Sequence, residues 1–199
     1  MRFADRNVEE KLINSAKKEF LDKGFKKASI RRICSNAEVT TGALYFFFES
    51  KEDLFCRIVE KTAWSLKKLA NQLFTSEFDD LDIGADNDVL MIKFFWENKT
   101  EIQLLLESAE GTRFESYKND YLKILEGYFL LFFKRYGNEN VDRALVKIIV
   151  QMRTQGFMKL IKGNYDMNHT IKLARQIGIY ADGGFRSLMK AINESNKLV

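Results

Sequence analysis

An all-α fold, with an N-terminal three-helix helix-turn-helix domain joined by a fourth helix to a larger helical body, is predicted by three features of this 199-residue chain. Proline is absent, where average usage gives roughly ten in a chain of this size. Because proline interrupts helices and marks turns, its absence fits helices joined by Gly, Asn and Asp. Apolar residues also recur at three- and four-residue spacing along most of the chain, and capping residues punctuate that pattern. The apolar fraction of 46% is ordinary for a globular protein, and the length suffices for a sizeable core. No tandem repeat of fixed period is present.

The first helix is expected from about Asn7 to Lys23. Asn7 and Glu10 form an N-x-x-E start, and Val8, Leu12, Ile13, Ala16 and Phe20 make the apolar stripe. Gly24 is placed to end the helix with a positive φ, and Phe25 follows as a core anchor. Ser29 caps a second helix whose inward residues are Ile30, Ile33 and Cys34. Asn36 to Val39 forms a turn, and Thr40 or Thr41 starts a third helix holding Ala43, Leu44 and Phe48. Ser50 with Asp53 repeats the capping pattern and puts Lys51 at the first position of a long fourth helix. Its stripe runs through Phe55, Ile58, Val59, Thr62, Leu66, Leu69 and Leu73. The two domains implied are residues 1–50 and 51–199.

Residues 76–88 hold six acids and no base, and read as a solvated loop. No register there supplies the alternating oxygens, sixth-position Gly and twelfth-position Glu of a calcium loop. Further helices are expected near 88–97, 99–109, 112–136, 140–162 and 168–193, with Asn98 and Glu101 splitting the first two and Gly137 and Gly163 at helix ends.

All the formal charge of +4 sits in the N-terminal quarter. Residues 1–51 carry 11 Lys/Arg against 7 Asp/Glu, while the remainder carries 21 of each. Such an imbalance suits a polyanion partner for that quarter alone. Cys34 and Cys56 are too few for a disulfide framework, and with one histidine, His169, they suggest no metal site. His169 reads as a surface or capping residue. Met1 to Leu21 is broken by charges and no apolar run nears a bilayer span, so a reduced, cytoplasmic, soluble protein with no membrane contact is expected.

The stretch Ser29 to Lys51 gathers basic, hydroxyl and aromatic groups on two short helices, the composition of a DNA-reading element. Thr40, Thr41, Gly42 and Ala43 are small enough for backbone to approach DNA, and they offer hydroxyls and a surface for a thymine methyl. Tyr45, one turn on, suits a phosphate. Lys51 adds charge at a helix N-terminus, where backbone N–H groups already favour phosphate.

With these pieces in place, residues 8–60 resemble the DNA-binding domain of the TetR family of bacterial transcriptional regulators. The matching positions are Phe20, Gly24-Phe25, Ile33, Ala37, Val39, Thr40, Gly42-Ala43-Leu44-Tyr45, Phe48, Ser50-Lys51-Glu52 and Leu54. The resemblance implies DNA contacts from Thr40, Thr41, Gly42, Tyr45 and Lys51, then from Ser29, Arg31 and Arg32. It also implies a homodimer on a palindromic or pseudo-palindromic double-stranded operator, and a repressor released by a small apolar or aromatic inducer. Glu38 stands where the family usually has glycine, and Phe46 and Phe47 where it often has His or Tyr.

By the same resemblance the last two long helices pack against their twins, with Val150, Phe157, Ile177, Ala181, Gly184, Phe185 and Leu188 on the dimer face. Closing the monomer's own core is the other use for these residues. Phe95, Trp96, Phe114, Tyr117, Tyr121 and Tyr128 are the candidates for lining an inducer pocket. An enzyme is not expected, because one His, two separated Cys and no phosphate-binding glycine loop leave no catalytic constellation and no cofactor. A DNA-binding regulator or architectural protein without a small-molecule inducer remains the other reading.

Overall fold

The left-handed backbone at Gly24 (φ 70°, ψ 160°) breaks the first helix and turns Phe25 into the protein, a conformation that side chains with a Cβ rarely adopt. In a computed structural model describing residues 3–137 and 141–195, the chain is helical throughout, with no strand among the described residues. The helices are α1 (Phe3–Lys27), α2 (Ile30–Asn36), α3 (Thr41–Phe47), α4 (Lys51–Asp79), α5 (Gly84–Glu97), α6 (Lys99–Glu107), α7 (Tyr117–Tyr136), α8 (Arg143–Lys162) and α9 (Met167–Ser195), with a 3₁₀ turn at Leu81–Ile83. They divide into two compact units. One comprises Met1–Ser65 with Asn98–Lys118, the other Leu66–Glu97 with Asn119–Val199.

The first unit is organised around three phenylalanines. Phe20, Phe25 and Phe55 meet with centroids 5.2–5.8 Å apart, and Leu12, Ala16, Ile33, Leu44, Phe48, Leu54 and Val59 close over them. Leu104, Leu105 and Ala109 complete this core, and Phe25 N donates to Ser108 O at 3.0 Å. Two polar residues on the buried face of α1 hold α2 in place. Ser15 Oγ donates to Ile33 O at 2.8 Å, and Glu19, 4% exposed, accepts from Ser29 N at 3.1 Å.

In the second unit α5 and α9 pack together so closely that glycine is required. A Cβ on Gly178 would lie 2.9 Å from Ala85 Cα. Phe133, Val146 and Met189 are buried at one core, where Phe185 packs edge-on to Phe133 at 5.0 Å.

Several expected boundaries are corrected. Asn7 lies inside α1, so its side chain does not cap the start. Residues 76–88 are not a loop: α4 continues to Asp79 and α5 begins at Gly84, because Asn87 and Asp88 are buried on the α5 face that carries Met91, Ile92 and Phe95. The 112–116 stretch is a run of turns before α7, held by Thr112 Oγ1 donating to Ala109 O at 2.7 Å. The start expected at Asn140 for the eighth helix lies outside the described residues; Asp142 caps α8 by accepting from Ala144 N at 2.8 Å. Gly137 and Gly163 follow α7 and α8 as expected, Gly163 in an extended rather than left-handed conformation.

Candidate nucleic-acid interface and ligand cavity

Both short helices of the first unit start at hydroxyl caps. Ser29 Oγ accepts from Arg32 N at 3.4 Å, and Thr40 Oγ1 accepts from Ala43 N at 3.1 Å, each satisfying a donor with no partner inside its helix. Thr40, not Thr41, is therefore the cap. Between them the chain turns at Glu38, whose φ is 57°, a left-handed conformation costly for a residue with a Cβ. Helix α3 is thereby sharply two-sided. Leu44 is fully buried, while Tyr45 is 56% and Phe46 73% exposed, and Thr41 and Gly42 are exposed beside them.

The structure brings Thr41, Gly42 and Tyr45 onto the open side of one helix, with Thr40 at its start. The remaining candidates are placed differently. Arg31 is exposed, with no ion-pair partner among the described residues. Arg32 Nε lies 3.3 Å from the buried Glu19 carboxylate, so its charge is already shared. Lys51 Nζ donates to the carbonyls of Phe25 at 2.8 Å, Ala28 at 3.1 Å and Lys26 at 3.4 Å, and lies 4.5 Å from the Phe25 ring centroid. Its ammonium thus ties the start of α4 to the end of α1, where bare carbonyls attract a cation. Phe46, noted in the sequence as standing where the family often has His or Tyr, is exposed on the same helix, and that exposure opposite a buried Leu44 is legible once the helix phase is known.

The second unit holds a partly open cavity of about 120 Å³. Its wall is largely aromatic: Phe74 and Tyr128 stack with centroids 4.0 Å apart, and Phe95 and Phe157 meet edge-on at 5.9 Å. Of the expected pocket residues, Phe95, Tyr121 and Tyr128 line it and Trp96 does not. Phe114 and Tyr117 are corrected, because both pack on the core of the first unit, where Tyr117 Oη donates to Ala63 O at 2.8 Å.

Four charged groups also line this cavity: Glu77, Asp88, Asp182 and Arg153. Arg153 donates to Asp88 Oδ1 at 2.6 Å, whereas Asp88 Oδ2 has no hydrogen-bond partner. Burial is the leading cause pushing the carboxyl groups of Glu77, Asp88 and Asp182 above the ordinary range, opposed in each case by Arg153. These acids were missed, although their phase on the helices was a signal. Glu77 follows Ala70 and Leu73, Asp88 precedes Met91 and Phe95, and Asp182 precedes Phe185, all at spacings that share a helix face.

The residues expected on the dimer face fall into two groups in the single chain. Val150 is 1% exposed, and Val150, Phe157 and Phe185 line the cavity, while Leu188 packs on the core around Phe133. Ala181 is half-buried, and Ile177 and Gly184 are exposed. The large apolar groups left open on α8 and α9 include Ile148 at 54%, Met152 at 65% and Tyr180 at 80%.

The first unit carries a capped helix-turn-helix, the architecture of a DNA-binding element. Residues 12–58, the segment that holds the helix-turn-helix, match the family model described as bacterial regulatory proteins, tetR family. The fold of the chain is similar to that of a transcriptional regulator (TerR/AcrR family) from Aquifex aeolicus VF5, at 20% identity with a TM-score of 0.56 over 85% of this chain and 96% of that one. It is similar also to NalD, the secondary repressor of the MexAB-OprM multidrug efflux pump in Pseudomonas aeruginosa, at 15% identity and a TM-score of 0.59, covering 90% and 98%. In sequence it is 25% identical to the nucleoid occlusion factor SlmA of Glaesserella parasuis serovar 5 (strain SH0165), over 74% of this chain and 77% of that protein. No helix among the described residues is long and apolar enough to cross a membrane.

Proposed function

We propose that this chain is a homodimeric, ligand-responsive repressor acting on operator DNA in the cytoplasm. The observation that carries the proposal is the open face of α3, where Thr41, Gly42 and Tyr45 stand exposed behind the Thr40 cap. Such a helix offers hydroxyls and a close backbone approach to base edges and phosphates. Arg31 and the basic end of α1 supply the sequence-independent attraction. Lys51 acts by positioning α4 against α1 rather than as a free phosphate ligand. The test is binding of the purified protein to DNA from around its own gene, alongside selection from a random pool. Sequence-selective, salt-sensitive binding is expected, and its absence ends the proposal.

One short helix reads only a few base pairs, so two copies must engage half-sites about one helical turn, roughly 34 Å, apart. The exposed Ile148 and Met152 on α8, with Ile177, Tyr180 and Gly184 on α9, are the surface we assign to that pairing. An effector in the cavity favours one conformation of the body, and α4, which carries residues of both units, is the chain element through which that preference reaches the reader.

A second reading is a DNA-binding protein without a small-molecule effector, with a role in nucleoid occlusion like that named for the similar protein. Release of operator DNA by a compound that also raises the thermal unfolding temperature separates the two.

A further inference from the structure

The cavity of the second unit carries more acid than its aromatic lining explains. Three carboxylates face one guanidinium there, an excess of two negative charges when all are ionised. Asp88 is 6% exposed, yet Oδ2 has no hydrogen-bond partner, and a buried carboxylate oxygen left unpaired costs free energy. Arg153 is already committed to Asp88 Oδ1 at 2.6 Å, so the site holds no spare cation for an anionic ligand. Glu77 accepts only a long 3.4 Å hydrogen bond from Asn87 Nδ2. The stacked Phe74–Tyr128 pair adds π faces, which attract positive charge.

We propose that this cavity binds a small organic cation, an amine with an aromatic or short alkyl arm, whose ammonium is held by Asp88 and Glu77. The inference rests on the reading of the protein as ligand-responsive and narrows its effector from an apolar molecule to a cationic one. Asp182, already hydrogen-bonded to the Ala85 backbone, is the third acid of the wall, and the aromatic side takes the arm. The size limit follows from the volume: about 120 Å³ is close to the roughly 150 Å³ cavity that accepts benzene. Burial disfavours the ionised form of all three acids, and a bound ammonium relieves that strain without a proton.

Calorimetry and thermal shift on the full chain at neutral pH, with matched probes, test this. Benzylamine and hexylamine are compared with benzyl alcohol and hexanol, and with benzoate and hexanoate. An amine is expected to bind roughly tenfold or more tightly than its alcohol, since a charge-assisted hydrogen bond is the stronger, and the carboxylates are expected not to bind. Asp88→Asn and Glu77→Gln should each weaken the amine and leave the alcohol unchanged; should one fail to fold, the other reads the same effect. Alcohols or carboxylates binding as well as amines, silence from all six, or amine affinity unaltered in the folded variants overturns the proposal. A gel shift in parallel keeps the two readings apart. Amine binding by a protein that ignores DNA sustains the cation site and removes the regulator, whereas release of DNA by alcohols or acids alone does the reverse.

Discussion

Lys51 Nζ lies 2.8 Å from the carbonyl oxygen of Phe25, and this bond joins the start of α4 to the end of α1. Two further carbonyls and the Phe25 ring share the same ammonium, so its role is structural before it is electrostatic. Lys51→Met is expected to lower stability by about 1–2 kcal/mol, the usual cost of hydrogen bonds to a charged group that is partly exposed. Urea unfolding read beside operator affinity checks it. Weakened DNA binding in a variant of undiminished stability would return Lys51 to the phosphate.

On α3 the expectation reverses. Thr41 and Tyr45 are exposed and support little of the core. Thr41→Ala and Tyr45→Ala should each change stability by no more than about 0.5 kcal/mol, while reducing operator affinity by roughly tenfold. Full affinity retained in both variants would mean that α3 does not face the bases.

Glu38 is held at φ 57°, where the left-handed conformation costs a residue with a Cβ about 1–2 kcal/mol. Glycine removes that strain but gives back roughly 0.5–1 kcal/mol in backbone entropy. Glu38→Gly is therefore expected to stabilise the chain by about 0.5–1 kcal/mol, measured by urea unfolding. Removing a negative charge from the turn before α3 should also raise DNA affinity at low salt.

How far each feature could be read from sequence follows from the range of the interaction behind it. The caps at Ser29, Thr40 and Ser50 are local, and their hydrogen bonds stand where the spacing put them. Glu38 was marked by the resemblance instead, since it stands where the family usually has glycine, and its positive φ agrees with that. Phe114 and Tyr117 were misplaced because what decides their core is packing with residues some fifty positions earlier, such as Ala63, which no local pattern carries. The acidic stretch 76–88 misled for a different reason. Composition said solvent, but the helix phase of Asp88 with Met91 and Phe95 said interior, and burial beside Arg153 shows that the phase was the better guide.

On α8 the two faces of the helix have opposite environments. Val150 is buried and Ile148 and Met152 are open. Ile148→Glu and Tyr180→Glu are expected to shift the protein towards monomer and to abolish cooperative operator binding, as seen by light scattering and gel shift. Val150→Ala should instead cost about 1–3 kcal/mol of stability and leave the oligomeric state alone. A dimer that survives both glutamates would move the interface elsewhere.

The acids of the cavity set a pH dependence whose sign can be worked out. Asp88 is raised from an ordinary 3.8 mainly by burial, with Asp182 adding to the rise and Arg153 opposing it. Glu77 is raised from 4.5 by burial, with Asp88 and Asp182 adding. Asp182 is raised by burial and by Asp82, against Arg153, the Ala85 backbone and Arg186. A raised native pKa means that the folded chain binds the proton more tightly than the unfolded one. The stability so contributed is complete below about pH 4 and is lost as the pH climbs through the raised native value. Carboxylates such as Glu110, held low by its hydrogen bond and ion pair with Lys26, act in the opposite sense, so the raw curve mixes both. The difference in unfolding free energy between the native chain and Asp88→Asn isolates what Asp88 contributes. That difference should decline as the pH rises from about 4 towards 7, and saturating benzylamine should reduce the decline, because the ammonium stabilises the ionised acid. A flat or rising difference would mean that Arg153 already compensates Asp88 in full, and the cavity would then have no need of a cation.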